Sequence, residues 1–140
     1  MSGRPRVSWE AYALNLAIAA ADRSEDPWVQ VGAVVLRPDH SVASVGYNGA
    51  PPGVELDWAD RDGRRDRVIH AETNALRYCR TEEVRGGLLA VSHVPCSQCL
   101  VNSAAYGILE VVFRNPLENY PIEATHEIAQ SVGIDLRQIR

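Results

Sequence analysis

No apolar stretch in this sequence is long enough to cross a bilayer. The longest lies around Leu14 to Ala21, well short of the roughly 20 residues a spanning helix needs. No signal-peptide core precedes it, so the cytoplasm is the expected compartment and no membrane partner is expected. Positive charge is not in excess either: the formal net charge is -4 and the pI is near 5.5. That balance argues against a nucleic-acid partner, because phosphate backbones select basic surfaces. The chain has only 3 cysteines, an odd number that does not make a disulfide framework. Repeats, low-complexity linkers and shifts of composition are also missing. What remains is a chain of 140 residues with 46% hydrophobic and 23% charged residues, enough for one domain over residues 1–140 with a single core.

The pattern along the chain predicts alternating helices and strands. Trp9 to Arg23 reads as a helix capped by Ser8. Val31–Leu36 and Val42–Tyr47 read as a hairpin about a turn at Pro38-Asp39-His40. Asn48 to Arg67 carries Asn-Gly, Pro-Pro-Gly and scattered charge, and reads as a long loop. Beyond it come a helix over His70–Arg80, a strand over Leu88–Ser92, a helix over Cys96–Tyr106 ended by Gly107, a strand over Glu110–Phe113, a helix over Pro121–Ser131 and a short strand at Ile134–Leu136. Helices between strands imply parallel crossovers. The expected class is α/β: three layers, with a mixed central sheet flanked by helices on both faces.

Two motifs carry chemistry. Cys96 and Cys99 stand three apart after Pro95, at the start of a predicted helix. Both thiols then fall on one face of its first turn, where the positive helix end favours thiolates. His70 opens another predicted helix, and Glu72 follows two residues later. Residues two apart share a pocket only at a helix end. Two thiolates and one imidazole make a three-ligand zinc site, which leaves a position open for water. Glu72 is then the candidate proton carrier. H-x-E with P-C-x-x-C is the signature of zinc deaminases. Taken singly, each piece has a plainer reading. His70 reads as a helix-end histidine, Glu72 as a carboxylate favoured by the helix dipole, and the cysteines as a redox dithiol or half of a structural zinc site completed by His93 or Cys79. Cys79, far along its helix, reads better as a core residue.

Four stretches with their spacing give the sequence a wider resemblance: Arg23-Ser24-Glu25-Asp26-Pro27 leading to Gln30-Val31-Gly32-Ala33; Gly46 to Pro51; His70 to Ala75; and Pro95 to Cys99. Over Trp9 to about Phe113 the chain resembles the cytidine and deoxycytidylate deaminase superfamily, on its deoxycytidylate side. The branches acting on tRNA adenosine and guanine usually carry Asp-Pro before His-Ala-Glu, where this chain has Arg67-Val68-Ile69. The resemblance implies the cytidine-deaminase-like fold and hydrolytic loss of an amino group from a cytosine-type ring, with dCMP as the substrate. It implies zinc held by His70, Cys96 and Cys99, and Glu72 moving protons. It implies the backbone of Ala71 facing the ring carbonyl, Asn48 on the sugar or ring edge, and Val31 and Ala33 near the base. It also implies a homo-oligomer, a dimer or larger. A free base, a nucleoside or an aminotriazine-like ring is the alternative substrate. His93 is expected either in the pocket or on a solvent-facing loop. Arg23 and Arg114 are the candidates for a phosphate contact, or else for surface ion pairs.

Overall fold

The computed structural model describes residues 2–140. Helix α1 (Trp9–Ala21) is capped by Ser8, whose hydroxyl accepts the Ala11 N–H at 3.1 Å. Strands β1 (Gly32–Leu36) and β2 (Val42–Tyr47) form the antiparallel hairpin. Three short helices follow: α2 (Arg61–Arg65), α3 (Ala71–Leu76) and α4 (Thr81–Val84). Then come β3 (Leu88–His93), α5 (Ser97–Ala105), β4 (Glu110–Asn115), α6 (Ile122–Ser131) and β5 (Asp135–Gln138). The sheet order is β2-β1-β3-β4-β5, with β1 antiparallel to both neighbours and β3, β4 and β5 mutually parallel. This is the mixed sheet that the sequence predicts.

All five residues of β1 are buried, because both faces of the sheet are covered. Side chains alternate along a strand, so Val34 and Leu36 meet Ala13, Leu14 and Ala17 of α1. Ala33 and Val35 point the other way, into a larger core with Ala71 and Leu76 of α3, Leu100 of α5 and Ala129 of α6. Two departures from the sequence reading stand out. The expected loop Asn48–Arg67 contains α2, whose Arg-Asp-Gly-Arg-Arg sequence has no apolar period to betray it. The expected helix over His70–Arg80 stops at Leu76, and α4 follows as a separate turn.

Glycines on adjacent strands let the two helix layers approach the sheet. A Cβ on Gly32 would run into the backbone of Ala17 and Ala21 in α1. A Cβ on Gly46 would run into the Ala75 nitrogen and lie 2.7 Å from the Ala71 carbonyl oxygen in α3. Backbone cannot yield as a flexible side chain can. Gly46→Ala is therefore expected to push α3 off β2 and to destabilise the fold by about 1–3 kcal/mol, the usual cost of overpacking. A denaturant midpoint unchanged from wild type would show that α3 does not need this contact.

Candidate active site

Helices α3 and α5 start side by side. His70 is the N-cap residue of α3, with extended backbone and no side-chain capping bond, so its imidazole is free to reach away from the helix. Cys96 is the N-cap residue of α5, and its sulfur accepts the Cys99 N–H at 3.4 Å. The His70 Nδ1 atom lies 3.3 Å from Cys99 Sγ and 3.5 Å from Cys96 Sγ, and the two sulfurs are 3.2 Å apart. Tetrahedral zinc with Zn–S near 2.3 Å and Zn–N near 2.0 Å would set these edges at about 3.5–3.8 Å. The triangle is slightly tighter, so small rotations of the three side chains adapt it to the ion. Among the described residues only His70, Cys96 and Cys99 form such a group; Cys79 and His93 stay outside it. Three protein ligands of this kind leave one position of a tetrahedron open.

The electrostatics of the triangle are those of a site made for a cation. The Cys96 thiol is pulled down to about 4, first by its hydrogen bond with Cys99 and further by His70. That same bond, together with burial, pushes the Cys99 thiol up. The opposed shifts follow from two sulfurs held close together, an arrangement that with His70 would suit a divalent cation. Glu72, in the first turn of α3, is only 4% exposed. Burial pushes its carboxyl above the usual range, against a lowering hydrogen bond with Cys99. A carboxyl raised by burial is suited to taking and returning protons near neutral pH.

These groups open into a cavity of about 230 Å³. Val31, Asn48, His70, Ala71, Glu72, His93 and Cys96, all singled out in the sequence, line it. His93, at the end of β3, is half-buried rather than on a solvent-facing loop, and burial holds its imidazole below the usual range. Its Nδ1 lies 2.9 Å from the Ser92 hydroxyl, which accepts the Gly32 N–H. Besides Cys99, whose place is in the triangle, three other sequence candidates are not among the residues lining the cavity. Ala33 is fully buried in the core behind it. Arg23 is exposed, with its guanidinium 5.9 Å from the centre of the Tyr47 ring. Arg114 sits within β4.

The wall around Asn48 depends on a residue that sequence reasoning quoted without giving it a role. The Asp26 carboxylate accepts the N–H groups of Trp28 at 2.8 Å and Val29 at 3.3 Å, and the Asn48 side-chain amide at 3.3 Å. It also pairs with Arg64 of α2 at 2.7 Å. The side chains of Asp26 and Arg64 are 0% and 8% exposed. Removing one member of so buried a pair costs about 3–5 kcal/mol. Asn48 in turn receives the Val31 N–H at 2.9 Å and donates to the Val29 carbonyl at 3.0 Å. Sequence reasoning missed Arg64 and Arg65 as lining residues, because they lie in a segment without apolar periodicity.

A family model for the zinc-binding region of cytidine and deoxycytidylate deaminases matches residues 7–115. The deoxycytidylate deaminase of Mycobacterium phage D29 is 39% identical over 125 residues, covering 77% of this chain and 95% of the phage protein. The Homo sapiens deoxycytidylate deaminase is 32% identical over 127 residues, covering 85% of this chain and 71% of its own length. The dCMP deaminase of cyanophage S-TIM5, solved in complex with dCMP and dUMP, superposes with a TM-score of 0.77 at 30% identity over 93% of this chain and 95% of that one. Because the match runs from α1 through both the His70 and the Cys96–Cys99 stretches, the chain belongs to the cytidine and deoxycytidylate deaminase family of zinc-dependent hydrolytic deaminases.

Proposed function

We propose that this enzyme hydrolyses dCMP to dUMP and ammonia, with residues 1–140 working as one domain. One observation carries the reading: a single cavity is lined by Glu72, His70 and Cys96 together with two arginines. It offers an acid–base group and metal ligands for the ring, and in the exposed Arg65 a cation for an anionic substituent. The relatives from phage D29 and S-TIM5, named for the same substrate, support it.

Each residue has a role in this reading. His70, Cys96 and Cys99 hold zinc, which when bound makes water nucleophilic near neutral pH. Glu72 takes the proton of the attacking water and gives it to the ring nitrogen. Glu72 then takes the remaining proton from the hydroxyl added to the ring carbon and passes it to the exocyclic amino group, so that the bond from the ring carbon to that amino nitrogen breaks, the ring carbonyl forms and ammonia leaves. The Ala71 backbone, at the start of α3, meets the ring carbonyl. Val31 packs against the base. The Asn48 side-chain oxygen accepts one backbone N–H and keeps a second lone pair for a sugar hydroxyl. His93, held by the contact between its Nδ1 and the Ser92 hydroxyl, offers its other ring nitrogen as a polar partner for the substrate. No described helix is long and apolar enough to cross a membrane, and we place the enzyme in the cytoplasm as a homo-oligomer, to be checked by light scattering.

The substrate is tested by ammonia release from dCMP, deoxycytidine, cytosine and aminotriazines. The highest kcat/KM is expected on dCMP; a higher value on a free ring would overturn the reading. Cys99→Ala should purify with less than stoichiometric zinc and a lowered melting temperature, since ligation and folding are coupled. Full zinc content in that variant, measured by mass spectrometry, would remove Cys99 from the ligand set. Glu72→Gln should keep its zinc and its fold while turnover falls by about 10²–10⁴-fold or more, the usual weight of a general acid–base group. Near-normal turnover would assign proton transfer elsewhere.

A further inference from the structure

We propose that Arg65 is the residue that gives this enzyme its preference for a phosphorylated substrate, and that its neighbour Arg64 is a positioning residue. The inference rests on the dCMP reading and names the side chain that would make it true. Arg23 and Arg114 were the sequence candidates for this contact, and the structure leaves both outside the cavity, Arg23 over Tyr47.

The chain contains no lysine, so each of its 14 Lys-plus-Arg side chains is an arginine. Among the described residues two of them, Arg64 and Arg65, line the cavity that holds Glu72. They are consecutive on α2, yet their surroundings differ. The guanidinium of Arg64 is buried against the Asp26 carboxylate, with 2.7 and 3.3 Å contacts from Nη2 and Nε. Its charge is already balanced, and turning it to a ligand would leave Asp26 buried and uncompensated. Arg65 is 58% exposed and has one ionic partner, Asp62, at 3.6 Å. Asp62 is itself 94% exposed, and such surface pairs are weak. A phosphate dianion, which an arginine can grip through two parallel N–H groups, displaces that partner readily.

The backbone that carries Arg65 is held firmly. Asp60 caps α2 by accepting the Gly63 N–H at 3.0 Å. Arg64 ties α2 to Asp26 from below. The Trp28 indole donates to the Trp58 carbonyl at 2.9 Å, and Arg61 stacks over the Trp28 ring at 4.9 Å. The segment Trp58–Arg65 is thus clasped to the strand of chain that supplies Val29 and Val31 to the cavity. On this frame the Arg65 side chain is exposed and only weakly paired. A fixed root and a free, weakly paired guanidinium at the edge of the reaction cavity suit a group that must catch an anion and let it go at each turnover.

The test compares wild type, Arg65→Ala, Arg65→Lys and Arg23→Ala on dCMP and on deoxycytidine, with zinc content and melting temperature measured for each. In Arg65→Ala the KM for dCMP should rise about 10- to 100-fold, the scale of a lost hydrogen bond to a charged group. Its kcat/KM on deoxycytidine should stay within about twofold, and zinc and melting temperature should be unchanged. Arg65→Lys should recover part of the loss, because it keeps the charge without the paired donors. A KM for dCMP unmoved by Arg65→Ala, or raised instead by Arg23→Ala, would overturn the assignment while leaving the dCMP reading in place. A wild type that turns over deoxycytidine as well as dCMP would overturn both, and the wild-type comparison alone detects that case.

Discussion

His70 belongs to a helix reached from β2 and Cys99 to a helix reached from β3, yet their ligand atoms lie 3.3 Å apart. Every other property of the site depends on that approach. It requires α3 and α5 to lie on the same face of the sheet with their starting ends adjacent. A shared face follows from right-handed crossovers between parallel strands. Adjacent starts follow from the small residues beneath them: Gly46 under α3, and Ala71 and Ala75 turned toward the sheet. Bringing two thiols to 3.2 Å in a half-buried setting favours sharing a proton over holding two negative charges. A zinc ion held by His70, Cys96 and Cys99 would balance the charge of two thiolates brought this close. Glu72 is positioned by the same geometry. One turn further along α3 its carboxyl would be lost in the core; at the first turn it remains buried but borders the cavity.

A second constraint shapes the rest of the cavity. The Asp26 carboxylate is fully buried and takes hydrogen bonds from Trp28, Val29, Asn48 and Arg64. Buried carboxylates persist where their acceptor capacity is met in this way. The consequence is a rigid wall made from three separated pieces of chain: residues 26–31, Asn48 and α2. No one of them has regular structure of its own long enough to be stable alone, and Asp26 holds them in common.

The parts legible in the sequence were those with a period or a fixed spacing. Strands β1 to β4 declared themselves through apolar runs, α1 through its cap and its alanine-rich stretch, and the triangle through H-x-E and C-x-x-C. These signals are local, so a linear reading captures them. What the sequence hid was set by distant contacts. Helix α2 is held by Arg64 reaching across to Asp26, and no window around Arg61–Arg65 contains that information. Arg23 and Arg114 were candidates for the phosphate contact with no motif to point to them; the stretch that Arg23 opens turns the Asp26 carboxylate inward and leaves Arg23 on the surface. His93 was ambiguous because one residue decides whether it ends a strand or begins a loop; β3 runs through it, and the imidazole faces the cavity.

The clasp between Trp28, Trp58 and Arg61 is separate from the helices that carry the metal ligands. The metal triangle and this clasp therefore lie on different lengths of chain. Natural drift can rework residues 50–67, insert into them or exchange them, and the triangle behind them keeps its shape. The same partition gives the protein engineer a graft site. A loop exchanged between Ala50 and Arg67 would have to return a cation to Asp26, because the buried carboxylate is otherwise left without its partner.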